Sequence, residues 1–305
     1  MTRRRSGVPR PLAAAAGLAL DRLLPEPPTT VHPVALFGIV MTGLERRIHR
    51  DARGAGIVYA LAGIAVGLGA GVVVRSTALA TSSAVAGRAL AVTAGDVGEA
   101  LGTDDVVRAR ELLPSLVGRD PSGLGSGEIA RAVVESVAEN TVDAVVAPAF
   151  WGAVAGAPGA LGYRSVNTLD SMVGHRSLRY ANFGWASARL DDALTWVPAR
   201  LTAVLVAAVR PQAARAVWGA VRRQAPAHPS PNAGVAEAAF AAALGVRLGG
   251  SNTYGDRTED RPALGMGRPP GVDDIGAAVR LSGDVTAALA GVLALIGCAQ
   301  WWAAR

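Results

Sequence analysis

Two stretches of about 20 residues, 55–74 and 285–304, contain no charged side chain. At roughly 1.5 Å of rise per residue, a helix of that length matches the roughly 30 Å hydrocarbon layer of a bilayer. Both stretches are therefore expected to span a membrane. Composition points the same way: of 305 residues, 50 % are hydrophobic and only 18 % charged. Shorter apolar blocks at 11–24, 31–44, 77–94, 142–163 and 194–209 are interrupted by Arg88 or broken by glycine and proline. Such blocks suit short, re-entrant or bundle-packed helices as well as plain crossings. The chain reads as all-α, a polytopic helical membrane bundle forming one domain over 1–305. Polar segments at about 95–141 and 211–284 lie between its membrane helices, and no strand is expected.

All 30 basic residues are arginine. Without lysine there is no Schiff base for pyridoxal phosphate and no Walker A loop, so neither chemistry is available. The net charge of +6 does not call for nucleic acid. The arginines cluster at the ends of apolar blocks (Arg46, Arg47, Arg210, Arg222, Arg223), where positive-inside anchoring against membrane lipid accounts for them. The blocks at 11–24 and 31–44 are expected to pair as a hairpin, with the first segment uncleaved and ERRIHRDAR on the cytoplasmic side. The single cysteine, Cys298, removes intrachain disulfides and cysteine-rich metal centres from consideration.

Three polar islands press against apolar blocks. In ESVAENTVDAVVAPAFWG (135–152) a helical wheel puts Glu135, Ser136, Glu139, Asn140 and Asp143 within an arc of about 140°. Valine and alanine fill the remainder. A solvated helix face is the ordinary explanation for one glutamate. Three carboxylates at i, i+4 and i+8 repel one another, and Arg131 offsets only part of that. This favours a cation, with magnesium on Glu135, Glu139 and Asp143 as the leading version.

The second island, YRSVNTLDSMVGHR, places Arg164, Asn167, Asp170 and Ser171 on one helical side, with His175 and Arg176 after a glycine where a helix should end. These suit an anionic substrate, although a capped helix end with a surface histidine is an equal alternative. In the third, NFGWASARLDDALTWVPAR, Arg189 and Asp192 read as an ordinary i, i+3 ion pair. Asp191 and Arg200 instead lie at or inside an apolar segment, where charge is costly and usually functional. The loops SPNAG and GGSNTYGD add Asn232, Asn252 and Tyr254 as candidate phosphate or amide contacts. His32, His49 and His228 lack metal-ligand spacing and read as structural.

The run from ESVAENTVDAVVAPAFWG through YRSVNTLDSMVGHRSLRYANFGWASARLDDALTWVPAR is similar to the central signature of the CobD/CbiB family of cobalamin biosynthesis. HPSPNAG, LGVRLGGSNTYGD and the early HPV fit the same pattern, so the resemblance extends over about residues 20–300. It implies a multi-pass inner-membrane ligase with its active face to the cytoplasm. Such a ligase joins an aminopropanol phosphate, or a related amino-alcohol phosphate, to the propionate carboxylate of adenosylcobyric acid through an amide bond. The resemblance implies ATP as cofactor, with magnesium, although no nucleotide loop is recognisable. Adenosylcobyric acid, the amino-alcohol phosphate and other enzymes of the pathway are the expected partners. On chemical grounds Glu135, Glu139, Asp170 and Asp191 are the candidate catalytic residues, with Asp170 or Asp191 taking the amine proton. Arg164, His175, Arg176 and Arg200 would neutralise phosphate or the activated carboxyl, and Asn140, Asn167, Asn232, Asn252 and Tyr254 would complete substrate binding. Two other classes remain open: a non-catalytic membrane sensor resembling AmpE, and a corrinoid carrier whose intrahelical carboxylates line a pathway.

Overall fold

The fold was analysed in a computed structural model that describes residues 7–25, 28, 30, 32–118, 120–175, 177–254 and 257–305, with the backbone alone at 251–254 and 257–259. Its elements run α1 (Arg10–Leu23), α2 (Pro33–Ile48), α3 (Arg53–Val74), α4 (Thr77–Ala84), α5 (Gly87–Gly102), α6 (Val106–Leu112), α7 (Ser126–Thr141), α8 (Ala147–Leu169), α9 (Trp185–Val209), α10 (Ala214–Arg223) and α11 (Ala233–Leu244), then β1 (Leu248–Tyr254), β2 (Arg257–Leu264) and α12 (Val272–Ala303). The molecule is all-α apart from this one strand pair.

Among the described residues, four helical runs are long and apolar enough to cross a membrane: Arg53–Val74, Ser126–Gly174, Trp185–Val209 and Val272–Ala303. Their outer faces carry large exposed apolar side chains, among them Val58, Leu61 and Val73 on α3 and Leu295 and Trp302 on α12, as lipid-facing helices require. At the C-terminal end Arg305 lies 4.3 Å from the Trp301 ring centroid, an aromatic and cationic pairing suited to the headgroup level.

The sequence suggested one domain. Backbone packing groups the chain into two compact units, the first from Met1–Ala86, Asp143–Thr195 and Leu289–Arg305, the second from Gly87–Val142 and Trp196–Ala288.

In the first unit α1 packs on α4 and α8, and α2 packs on α3 and α8. The two opening apolar pieces thus find other partners than the hairpin expected of them. The expected segment 77–94 is likewise divided. Ser76 Oγ accepts from Leu79 N at 3.3 Å to start α4, and the chain leaves the helix at Val85, where Ala86 N donates to Ala144 O at 2.9 Å. Gly63, Gly67 and Gly71 form one edge of α3 and let α8 approach closely. A β-carbon at Gly63 would lie 2.6 Å from Leu169 Cδ1, and one at Gly67 or Gly71 would overlap Ser165 or Pro158. Helices in lipid gain no hydrophobic drive for pairing, so close backbone contact across small residues holds them together. We expect Gly67→Val and Gly71→Val each to cost about 1–3 kcal/mol or more through overpacking. The check is a lower melting temperature of the purified protein in detergent.

The segment 142–163, expected as an apolar block, proves to be folded back on itself. Gly156 adopts φ 71° and ψ −154° inside α8, two residues before Pro158. A β-carbon at Gly159 would overlap Trp151 O, and one at Gly152 would lie 3.5 Å from Ala160 Cβ. Residues eight apart in a straight helix stand roughly 12 Å apart. α8 is therefore a tight helical hairpin with arms on either side of Gly156, made possible by AGAPGA, where only small side chains and a left-handed glycine permit so close a return.

The second unit contains α5–α7, the C-terminal half of α9, α10, α11, the strands and the start of α12. β1 and β2 pair antiparallel from Leu248↔Leu264 to Tyr254↔Arg257, with a bulge between Leu248 and Gly250. This hairpin occupies a segment read from sequence as a loop. Apart from the buried, paired Leu248 and Leu264 at one end, its strands are mostly glycine, polar and charged residues with no apolar alternation, so the usual signal for a half-buried strand is missing. Backbone pairing and the clasp described below hold it instead.

Candidate functional site

Both units contain buried polar groups. In the second unit, α7 carries buried charge into an apolar environment. Glu135 is 3 % exposed between Val134 and Val137, and its Oε1 accepts a 2.9 Å hydrogen bond from Gly249 N. One turn earlier on the same helix face, Arg131 Nη1 donates to Gly249 O. The i, i+4 pair thus grips both backbone groups of a single residue, and this clasp fixes the bulge of β1. Gly249 has φ 85°, and a β-carbon there would overlap Pro262 O, so glycine alone fits.

Beside the clasp lies a buried ionic group. Glu237 on α11, 1 % exposed, has His228 Nε2 at 3.7 Å and Arg261 Nη1 at 3.9 Å. His228 Nδ1 lies 3.1 Å from Ser230 N and 3.2 Å from Ser230 O, while Nε2 faces the Glu237 carboxylate. Burial is the main influence on His228 and lowers its pKa below the usual 6.5, with Arg261 acting the same way and the Ser230 backbone and Glu135 opposing. The folded state then binds fewer protons than the unfolded chain between its own pKa and 6.5. Stability from this group is complete above the unfolded value and falls as pH drops through that window. Melting temperatures measured from about pH 5 to about pH 8 should decline at the acid end, and less steeply in His228→Gln.

Arg200 and Asn232 meet in this unit. Arg200 Nη1 donates to Asn232 Oδ1 at 2.9 Å and to Trp196 O at 3.1 Å, and Nη2 donates to Pro231 O at 3.1 Å. The guanidinium also lies 4.4 Å from the Trp196 ring centroid. Asn140 turns back on its own helix, donating to Ser136 O at 3.0 Å, and Glu139 is half-buried. Among the described residues no group of three His, Cys, Asp or Glu side chains is placed to hold a metal ion. Of the three residues expected to hold magnesium, Glu135 accepts from Gly249 N in the clasp. Of Asn252 and Tyr254 only the backbone is described, as part of β1.

In the first unit, the second arm of α8 and the N-terminal half of α9 share a connected network. Arg164 Nη1 donates to Asn167 Oδ1 at 3.2 Å, and Asn167 Nδ2 donates to Asp191 Oδ1 at 3.3 Å. Thr195 Oγ1 lies 3.5 Å from Asp191 Oδ2 and 3.0 Å from the Tyr163 hydroxyl. Asp191 is only 9 % exposed, and Asp143 and Asp191 both lie within Coulombic range of Tyr163. The second and third islands thus converge here, through residues one helical turn apart on each helix. Arg164 also lines an apolar cavity of about 250 Å³ with Phe37, Val66 and Leu161. Asp170 packs over Gly174, where a β-carbon would overlap its carboxylate.

His175 is exposed and stands edge-on to Tyr180, with ring centroids 4.9 Å apart. Tyr180 Oη donates to Glu45 Oε1 at 2.8 Å, and Arg179 Nη2 donates to the same oxygen at 2.9 Å. Arg179 is held above its ordinary pKa, first by its hydrogen bond to Glu45. Arg176 lies outside the described residues. Sequence reading missed Glu45, Arg179 and Tyr180, and in the second unit His228, Glu237 and Arg261. One signal was available: Glu45 sits four residues after Met41, on the buried face of α2, where an isolated carboxylate needs partners.

Four helical runs long and apolar enough to cross a membrane, with large apolar side chains on their outer faces, define a polytopic helical membrane protein. The family model described as CobD/Cbib protein matches residues 14–282, and the chain belongs to that family. It is 49 % identical over 302 residues to the cobalamin biosynthesis protein CobD of Mycobacterium tuberculosis, covering 94 % of this chain and 95 % of the relative. The proteins of the same description from Halalkalibacterium halodurans and Geobacter metallireducens are 40 % and 41 % identical, over 84 % and 81 % of this chain and 86 % and 83 % of their own lengths. No solved structure matches the chain.

Proposed function

We propose that the chain is a membrane enzyme of cobalamin biosynthesis that couples an amino-alcohol phosphate to the propionate carboxylate of adenosylcobyric acid. The observation that carries this reading is the family match over residues 14–282, nearly the whole chain. Joining a carboxylate to an amine in water requires an activated carboxyl, and ATP supplies that activation. Magnesium is assigned no protein cage and enters with the nucleotide phosphates.

The chain's own contribution is a proton acceptor and oriented donors. An amine attacking a carbonyl carbon becomes cationic and must lose a proton as the amide forms. Asp191 is the proposed acceptor, since Asn167 and Thr195 fix its two oxygens on neighbouring helices and its burial keeps bulk water from competing. Asp170 remains the alternative base. Arg164 and Asn167 supply donors to a carboxyl or phosphate oxygen. Arg200, oriented by Asn232 and Trp196, is a second anion contact, with His175 and Arg176 further candidates. Glu139, Asn140, Asn252 and Tyr254 are proposed as substrate contacts.

The test is purified full-length protein in detergent, given adenosylcobyric acid, aminopropanol phosphate and ATP with magnesium. Mass spectrometry should detect the new amide only when all are present. Corrinoid binding without any amide product would sink the ligase reading and favour a carrier or sensor.

A further inference from the structure

A cavity of about 520 Å³ opens in the second unit beside the clasp. Its wall brings together Gly125 and Gly127 at the start of α7, Gly249 and Gly250 of β1, and the side chains of Arg131 and Arg247. The volume falls in the range of small-molecule pockets, roughly 300–1,000 Å³.

The wall has the chemistry of an oxyanion cradle. Arg131 is held in place by Gly249 O, and a β-carbon at Gly250 would collide with its guanidinium, so the glycine keeps that group at the wall. Arg247 is exposed, and among the described residues its guanidinium has no acidic partner. The one carboxylate on the wall, Glu128, is occupied as acceptor for Gly125 N at 2.9 Å. Gly125, as N-cap, offers no side-chain acceptor to the first turn of a 16-residue helix, leaving N–H groups and the positive dipole end directed outward. Space over Gly127 is open, with no atom within 4 Å of a β-carbon placed there.

We propose that this cavity binds the phosphate group of a phosphorylated substrate, gripped by Arg131, Arg247 and the first-turn amides of α7. A chain without lysine must hold phosphate with guanidinium forks and backbone N–H groups, and this is where it has both. The same chemistry would serve ATP or the amino-alcohol phosphate. That choice of candidates rests on the ligase reading, whereas the site itself rests on the cavity.

Two variants test it in the full-length chain in detergent, by equilibrium binding of ATP and, separately, of aminopropanol phosphate, without turnover. Arg247→Gln removes an exposed cation. Gly127→Asp places a carboxylate in open space at a position where an acidic first turn favours the helix, so its melting temperature should not fall. Each variant should weaken one of the two compounds by about tenfold or more. Weakened ATP assigns the cavity to the nucleotide, and weakened aminopropanol phosphate assigns it to the acceptor substrate. Unchanged affinity for both compounds in both variants, or no binding of either by the native protein, overturns the proposal. Native protein that binds phosphate but yields no amide would count against the ligase reading alone.

Discussion

Asp191→Asn is expected to lower the rate of amide formation by about 10²–10⁴-fold, the span ordinarily lost with a positioned general base. Asparagine has nearly the same shape and keeps an oxygen for the 3.3 Å hydrogen bond from Asn167 and a polar group near Thr195 Oγ1. Melting temperature and membrane insertion should therefore stay close to those of the native protein. The loss should appear in kcat with little change in KM, because a base contributes to the transition state more than to substrate binding. Near-native turnover in this variant, measured by the mass-spectrometric amide assay, would transfer the base role to Asp170. The same substitution at Asp170 completes the comparison.

Glu135 should behave differently, and the difference separates a structural carboxylate from a catalytic one. Glu135→Ala leaves the buried Gly249 N–H without its acceptor and Arg131 without the carboxylate one turn away. The expected cost is about 2–4 kcal/mol, enough to lower the yield of folded protein or shift its melting temperature by several degrees. Glu135→Gln retains an oxygen for Gly249 N and should recover most of that stability. If Glu135 were instead a ligand for a substrate-bound cation, the glutamine variant would fold normally and lose activity outright. Melting and turnover measured on both variants distinguish these patterns.

Charge placement made much of the architecture legible in advance. Residues 55–74 and 285–304 read as spanning helices because desolvated charge is prohibitive in hydrocarbon; α3 contains the first and α12 all but the last residue of the second. Arg164, Asn167 and Asp191, which the second and third islands offered separately, meet in one hydrogen-bonded network. Helical periodicity failed at α8, because a wheel assumes a straight axis and the reversal at Gly156 is encoded by two glycines and a proline with no change in hydropathy. For Glu135 the wheel gave a polar helix face and no partner. A backbone amide 114 residues away in sequence comes to meet this buried carboxylate, a contact no local pattern encodes. The pairing of His228, Glu237 and Arg261 was beyond local reasoning altogether. It depends on a loop, a helix and a strand brought together by tertiary packing, and each residue alone looks ordinary.

The reversal at Gly156 also bears on how spans are counted. A helical pair that reverses at Gly156 brings its second arm back along its first, so the apolar length of α8 does not amount to one straight traverse. Hydropathy counting, which sees one uninterrupted apolar run, treats the two arms as a single rod. Ala147 and Leu169 are instead the two ends of a returning pair.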